Sequence, residues 1–142
     1  MIRVAVAVIW QCAKRDALLI SKRPEGKHLS GFWEFPGGKI DDHEDTLAAL
    51  RRELLEELNI GFDQATPLLE VRYQYPDRRV LLDVWEVIGI QGQPEGCEGQ
   101  LFNWVSPAEL ANYRFPAANQ PVLNAIRKST MRSGLVEKSH LP

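Results

Sequence analysis

Residues 49–58 read ALRRELLEEL and carry Glu53, Glu56 and Glu57 beside Arg51 and Arg52. An α-helix advances about 100° per residue, so acids three and four positions apart gather on one side. Carboxylates gathered in this way are a ligand set for a hard divalent cation. Mg²⁺ and Mn²⁺ take oxygen donors, usually one or two carboxylates completed by water and substrate phosphates. The ordinary alternative is a solvated helix face. On such a face, like charges at i, i+4 cost a few tenths of a kcal/mol, which Arg52 offsets through Glu56.

The helix that must carry these acids spans about Thr46 to Leu58. Leu47, Leu50, Leu54 and Leu58 form one apolar stripe beside the acids, and Asp45 suits the N-cap. Strands precede it. IRVAVAVIW (2–10) is rich in β-branched residues, and DALLISKR (16–23) follows a turn-like QCAKR. A loop, PEGKHLSG (24–31), leads to FWEFPGGKI (32–40), which ends in a Pro-Gly-Gly break. Downstream, PLLEVRYQY (67–75) and RVLLDVWEVIGI (79–90) read as a hairpin turning at Pro76, Asp77 and Arg78. The Gly-rich 91–100 is a loop and LFNWV (101–105) a short strand. SPAELANY (106–113) starts a helix with Ser106 as N-cap and Pro107 at the first position. A last helix covers roughly 117–128, followed by a tail (129–142) without periodicity, expected to be poorly ordered. This order predicts a mixed sheet with helices packed on it, of the α/β or α+β class, in a single domain over 1–128.

Composition narrows the partners. A chain of 142 residues with 44% hydrophobic and 25% charged residues has the profile of one soluble globular domain. A formal net charge of −2 gives no bulk attraction to a nucleic-acid polymer or an anionic membrane, so an anionic ligand must find local cations. Two cysteines, Cys12 and Cys97, make no disulfide framework and imply a reducing, cytoplasmic compartment. The apolar start is too short to span a bilayer and lacks a small-residue cleavage site.

The stretch upstream of the acids separates the two readings. GKIDDHEDTLAALRRELLEELNI (38–60) places Gly38, Glu44, Arg52, Glu53, Leu54, Glu56, Glu57 and Ile60 at the spacing of the Nudix box, and the chain resembles the Nudix hydrolases. Six specified polar or Gly positions, each met at about one in fifteen, coincide by chance roughly once in ten million windows. The penultimate Gly of the box is Asn59 here, a mild departure if that position ends the helix in a left-handed conformation. Outside the box, EFPGGKI (34–40), YPDR (75–78), EGQ (98–100) and FPAANQPV (115–122) are similar to the MutT-type oxidised-nucleotide diphosphatases.

The resemblance implies an α/β/α sandwich with a mixed sheet between helices. It also implies an enzyme that hydrolyses 8-oxo-dGTP to 8-oxo-dGMP and pyrophosphate with Mg²⁺, or with Mn²⁺ in its place. Glu53, Glu56 and Glu57 match the metal-holding glutamates, the Gly37 carbonyl a further ligand, and Glu98 an extra loop carboxylate at the metal or the water. Glu53 is the first choice for general base and Glu98 the second. Arg52 is expected to orient a box glutamate and Glu44 to anchor the loop–helix junction. Arg23, His28, Glu34, Phe35, Pro36, Gly37, Asp77, Arg78 and Asn119 make the expected substrate-binding set. Asn119 has chemistry suited to the base. Oxidation at C8 puts a hydrogen on N7 of guanine, so O6 and N7 become acceptor and donor, and one carboxamide matches both.

The expected ligand is a small nucleoside triphosphate, with no membrane and a monomeric or weakly dimeric protein. Two alternatives stand beside this. One is a Nudix pyrophosphatase for another nucleotide, such as CTP or a methylated cytidine nucleotide. The other is a non-catalytic module that recognises oxidised guanine, against which the complete set of box glutamates weighs.

Overall fold

A computed structural model describes residues 1–24 and 31–139, with side chains as far as residue 129. Its strands are β1 (Ile2–Ile9), β2 (Leu18–Lys22), β3 (Trp33–Glu34), β4 (Gly37–Lys39), β5 (Gly61–Tyr75), β6 (Arg78–Gln91) and β7 (Phe102–Val105). Helix α1 is Thr46–Leu58 and α2 is Gln120–Ser139, with 3₁₀ turns at Pro107–Asn112 and Ala117–Asn119. One sheet has the order β4-β1-β6-β5 and a smaller one β3-β2-β7.

Strand β1 lies inside the larger sheet, antiparallel to β4 and parallel to β6, with Val4 opposite Leu82 and Val6 opposite Val84. Its alternation divides the core. Val6, Val8 and Trp10 join Val122, Leu123 and Ile126 of α2. Ala5, Ala7 and Ile9 join Ala49, Leu50, Leu54 and Leu58 of α1. Successive strand residues point to opposite faces, so one apolar run serves both layers. The expected α/β/α arrangement is the one observed. Two small side chains under α1 let the helix lie close to the sheet. Leu50, Leu54 and Leu58 are fully buried there, each contributing about 2 kcal/mol of transfer free energy. Thr46, at the start of α1, donates its hydroxyl to Asp83 of β6, which also accepts from Trp85 Nε1 at 3.0 Å.

Three boundaries differ from expectation. Strand β5 starts at Gly61, not Pro67, and its pairing with β6 shifts register between Pro67 and Leu69. Pro lacks the N–H a ladder needs and is tolerated on an edge strand or at a bulge. The 106–113 segment is a 3₁₀ turn, closed by a reciprocal capping box between Ser106 and Glu109. Helix α2 begins three residues after 117 and continues to Ser139. Residues 129–139 of the expected tail therefore continue the helix, and 140–142 lie outside the described residues.

Candidate active site

Helix α1 is held at both ends by its sequence. The Asp45 carboxylate accepts from the Ala48 N–H at 2.8 Å. Asn59 ends the helix at φ 54°, ψ 40°, the left-handed cap where Asn is next best to Gly. The departure from the box pattern thus keeps the same backbone. From Glu53, Glu57 lies about 40° to one side and Glu56 about 60° to the other. The sheet covers one side only. Glu53 and Glu57 accordingly face inward, while Glu56 keeps 59% of its side chain exposed. The expected convergence of three box carboxylates is therefore two inward acids and one at the rim.

Two neighbouring glycines make room for these acids. A Cβ on Gly37 would lie 2.0 Å from the Ala5 carbonyl oxygen, and its φ of 148° is one that side chains rarely adopt. A Cβ on Gly38 would lie 2.3–2.5 Å from the carboxyl atoms of Glu53. The Gly37 N–H donates to Glu57 Oε2 at 3.1 Å.

Arg52 ties the acids to the preceding loop. Its Nη1 donates to Glu53 Oε1 at 2.8 Å, its Nε to Glu44 Oε2 at 3.1 Å and its Nη2 to the Lys39 carbonyl at 2.9 Å. Nη2 also meets Glu44 Oε1, which accepts from the Asp41 N–H at 3.0 Å. Glu44 thus joins loop to helix through one guanidinium. Arg52 holds the Glu44 carboxyl below the usual range, with the Asp41 N–H adding to the effect.

Burial works against the two inward acids. It raises the Glu53 carboxyl, opposed by Arg52 and reinforced by Glu56 and Glu98. It pushes Glu57 up to about 8, opposed by the Gly37 N–H and reinforced by Glu53, Glu98 and Glu34. Glu53, Glu57 and Glu98 are thus mutually repelling carboxylates on one cavity wall, which a divalent cation would relieve. Among the described residues, no three His, Cys, Asp or Glu side chains form a ready-made cage. Mg²⁺ does not require one, since it keeps several waters and shares substrate phosphates. The donor set fits such an ion.

The acids open onto a cavity of about 440 Å³. Arg23, Glu34, Phe35, Gly37, Arg78, Glu98 and Asn119 of the expected set also line it, although they come from segments far apart in the chain. Arg23 pairs with Glu34 at 2.8 Å. Phe35 is buried and stacks on Phe115 with centroids 5.1 Å apart. Arg78 lies over the Tyr75 ring, 5.6 Å from its centroid. Asn119 is half-buried in the turn before α2.

Pro36, Asp77, Glu44, Arg52 and Glu56 stand off the cavity wall. Pro36 is buried and its carbonyl accepts from Ala7 N–H at 2.8 Å, joining β4 to β1, while Asp77 is exposed at the hairpin turn. His28 lies outside the described residues. Tyr75 and Gln100 line the cavity without having been singled out. Both lie within stretches that carried the resemblance, YPDR and EGQ, but neither side chain alone announces a role.

A family model described as NUDIX domain matches residues 5–125. The chain belongs to the Nudix family. This Nudix hydrolase is 34% identical over 127 residues to the 8-oxo-dGTP diphosphatase of Escherichia coli, covering 89% of this chain and 97% of the relative. It is also 34% identical over 125 residues to the CTP pyrophosphohydrolase of Escherichia coli, covering 88% and 90%. A solved structure from work on MutT of Aliivibrio salmonicida and Vibrio cholerae superposes with a TM-score of 0.77 at 38% identity, over 88% of this chain and 95% of that one. Nudix hydrolases generally use a divalent metal and act on small nucleotides. No helix among the described residues is long and apolar enough to cross a membrane.

Proposed function

We propose that this Nudix hydrolase converts 8-oxo-dGTP and water to 8-oxo-dGMP and pyrophosphate, with Mg²⁺ as its metal. The carrying observation is that Asn119 and the acids Glu53, Glu57 and Glu98 share one cavity. A nucleotide can then present its base to Asn119 while its phosphates reach the acids. The Asn119 carboxamide pairs the acceptor O6 and the N7–H of the oxidised base, and only one of these atoms in guanine. A site built to pair both atoms discriminates on the order of 10⁴-fold, because the wrong base leaves polar groups unpaired.

Glu57 would hold the metal, with the Gly37 carbonyl beside it, Glu56 reaching in from the rim, and whichever of Glu53 and Glu98 does not take the proton of the water. When bound, divalent cations neutralise phosphate oxygens and acidify water. Arg52 occupies Glu53 Oε1. That leaves Oε2 to accept the proton of the attacking water as its oxygen bonds phosphorus and the bridging P–O bond breaks. Glu98 is the second candidate for that proton. Arg23 and Arg78 supply positive charge for the nucleotide, and Phe35 closes the pocket against the base. Glu34 orients Arg23 through their ion pair. Pro36 and Asp77 act through the backbone that positions Phe35 and Arg78. Two exposed free thiols support a reducing, cytoplasmic setting.

Equal dGTP and 8-oxo-dGTP, incubated with the protein and Mg²⁺, test the reading. Strong preference for the oxidised nucleotide with pyrophosphate release is expected, and Asn119→Ala should abolish that preference. Equal turnover, or orthophosphate as product, would refute it. The second reading is a cytidine nucleotide pyrophosphatase. It is supported by the equally similar CTP pyrophosphohydrolase and by cytosine's N4 donor, which also suits a carboxamide. CTP belongs in the same panel, and faster turnover of CTP would select this second reading.

A further inference from the structure

The last carbonyls of a helix have no partner within it. In α1 that role falls to the loop after β6. Glu95 N–H donates to the Leu58 carbonyl at 2.9 Å and Cys97 N–H to the Glu57 carbonyl at 3.1 Å. Glu57 O receives a second donor, the Nε2 of Gln100, at 3.0 Å. The other end of the same carboxamide is also engaged, since Gln100 Oε1 accepts from the Glu98 N–H at 2.9 Å. Only this orientation of the amide serves both groups, because one neighbour is a carbonyl and the other an N–H. One side chain thus bridges the backbones of two cavity acids, Glu57 and Glu98.

We propose that Gln100 is a positioning residue for the hydrolysis. Its carboxamide sets where the Glu98 carboxylate stands relative to the acids of α1. The inference rests on the reading that Glu98 acts in the site. Glu98 itself is exposed and sits one residue before Gly99, whose φ is 75°. The backbone bonds at Glu95 and Cys97 dock the loop without touching the Glu98 N–H. Gln100 is the group that reaches it.

The test is a double-mutant cycle with Gln100→Met, which keeps length and removes both hydrogen bonds, and Glu98→Gln. Steady-state kinetics would use whichever nucleotide the wild type turns over fastest, well below the melting temperature. Gln100→Met alone should lower kcat about 10- to 100-fold and leave KM within about threefold, the scale of a misplaced catalytic group. In the Glu98→Gln background the same change should cost less than about twofold, because groups acting as a unit are not additive. Amide hydrogen exchange gives a readout without substrate or metal. The Glu98 amide should exchange faster in Gln100→Met while those of Glu95 and Cys97 stay protected.

An unchanged kcat with a lowered Tm, or losses at 98 and 100 that multiply, would overturn the proposal. Should Gln100→Met not fold, Gln100→Ala also removes both hydrogen bonds without adding charge and is read by the same cycle. If Glu98→Gln is as fast as wild type, the reading beneath the proposal fails with it. A slow Glu98→Gln with multiplying effects sinks the role of Gln100 alone.

Discussion

Gly37 and Gly38 are adjacent, yet replacing each with alanine should do opposite things. At Gly38 the added Cβ would lie 2.3 Å from Glu53 Cδ and 2.4–2.5 Å from its oxygens. Ordinary contact begins near 3.4 Å, so the carboxyl must retreat by roughly 1 Å, a displacement that can cost on the order of 100-fold in rate. The retreating group is the end of a flexible side chain, and its principal loss is the 2.8 Å bond from Arg52. The fold should lose no more than about 1 kcal/mol. At Gly37 the Cβ meets the Ala5 carbonyl oxygen at 2.0 Å, a backbone atom in the middle of the sheet, at a φ unsuited to alanine. Neither neighbour can retreat without breaking the β1–β4 pairing, so the cost should be about 3 kcal/mol or more. The assay is kcat with the preferred nucleotide alongside thermal unfolding of both variants. Gly38→Ala should melt close to wild type and turn over about 100-fold more slowly, while Gly37→Ala should melt far lower. A Gly38→Ala enzyme within threefold of wild type would show that the Glu53 carboxyl need not stand where it does.

Two further outcomes follow from the charges. Glu57 has its folded pKa raised to about 8 from an ordinary 4.5, so in the metal-free protein the contribution of this one group to stability is fully present below about 4.5 and is lost as pH rises through 8. A cation that holds the carboxylate cancels the loss. The gain in Tm on adding Mg²⁺ should therefore grow from pH 5 to pH 8, and a pH-independent gain in calorimetry would contradict it. Arg52→Lys retains charge but loses the fork that meets Glu44, Glu53 and Lys39 at once. It should slow kcat by about 10-fold or more with little change in KM, and a near-normal kcat would argue against Arg52 as the group orienting Glu53.

Helix α1 was legible to the residue, from Thr46 to Leu58, because its cap, its apolar period and its left-handed stop agree locally. Strand β1 was legible as a buried strand, but an unbroken apolar run does not say which of its faces meets which helix. Strand β5 was half-legible: Pro67 argues against a strand from within the sequence, and only its place on a sheet edge removes the objection. The direction of Glu56 was not legible. Positions i+3 and i+4 differ by about 100°, and the side on which the sheet lies decides which acid turns inward. The box announced the acids, but Tyr75 and Gln100 owe their place on the cavity to chain segments that meet only in three dimensions. Gln100 is invisible for a further reason. Its role is to join two backbone groups, and backbone groups leave no mark in a list of side chains.

The central place of β1 also shapes the order of assembly. Strand β1 is synthesised well before its neighbours: β4 lies near residue 37 and its parallel partner β6 near residue 80. Until then, both of its edges offer unpaired N–H and C=O groups on one of the most apolar segments in the chain. Such an edge is a template for pairing with other chains, and parallel, long-range pairing is the slow kind. The β5–β6 hairpin, by contrast, can close on itself as soon as it exists. A growing chain would therefore be expected to fold from the middle outward, with the hairpin capturing β1. Conditions that delay the hairpin, such as substitutions at the Pro76–Asp77 turn, should appear as lost soluble yield before they appear as lost activity.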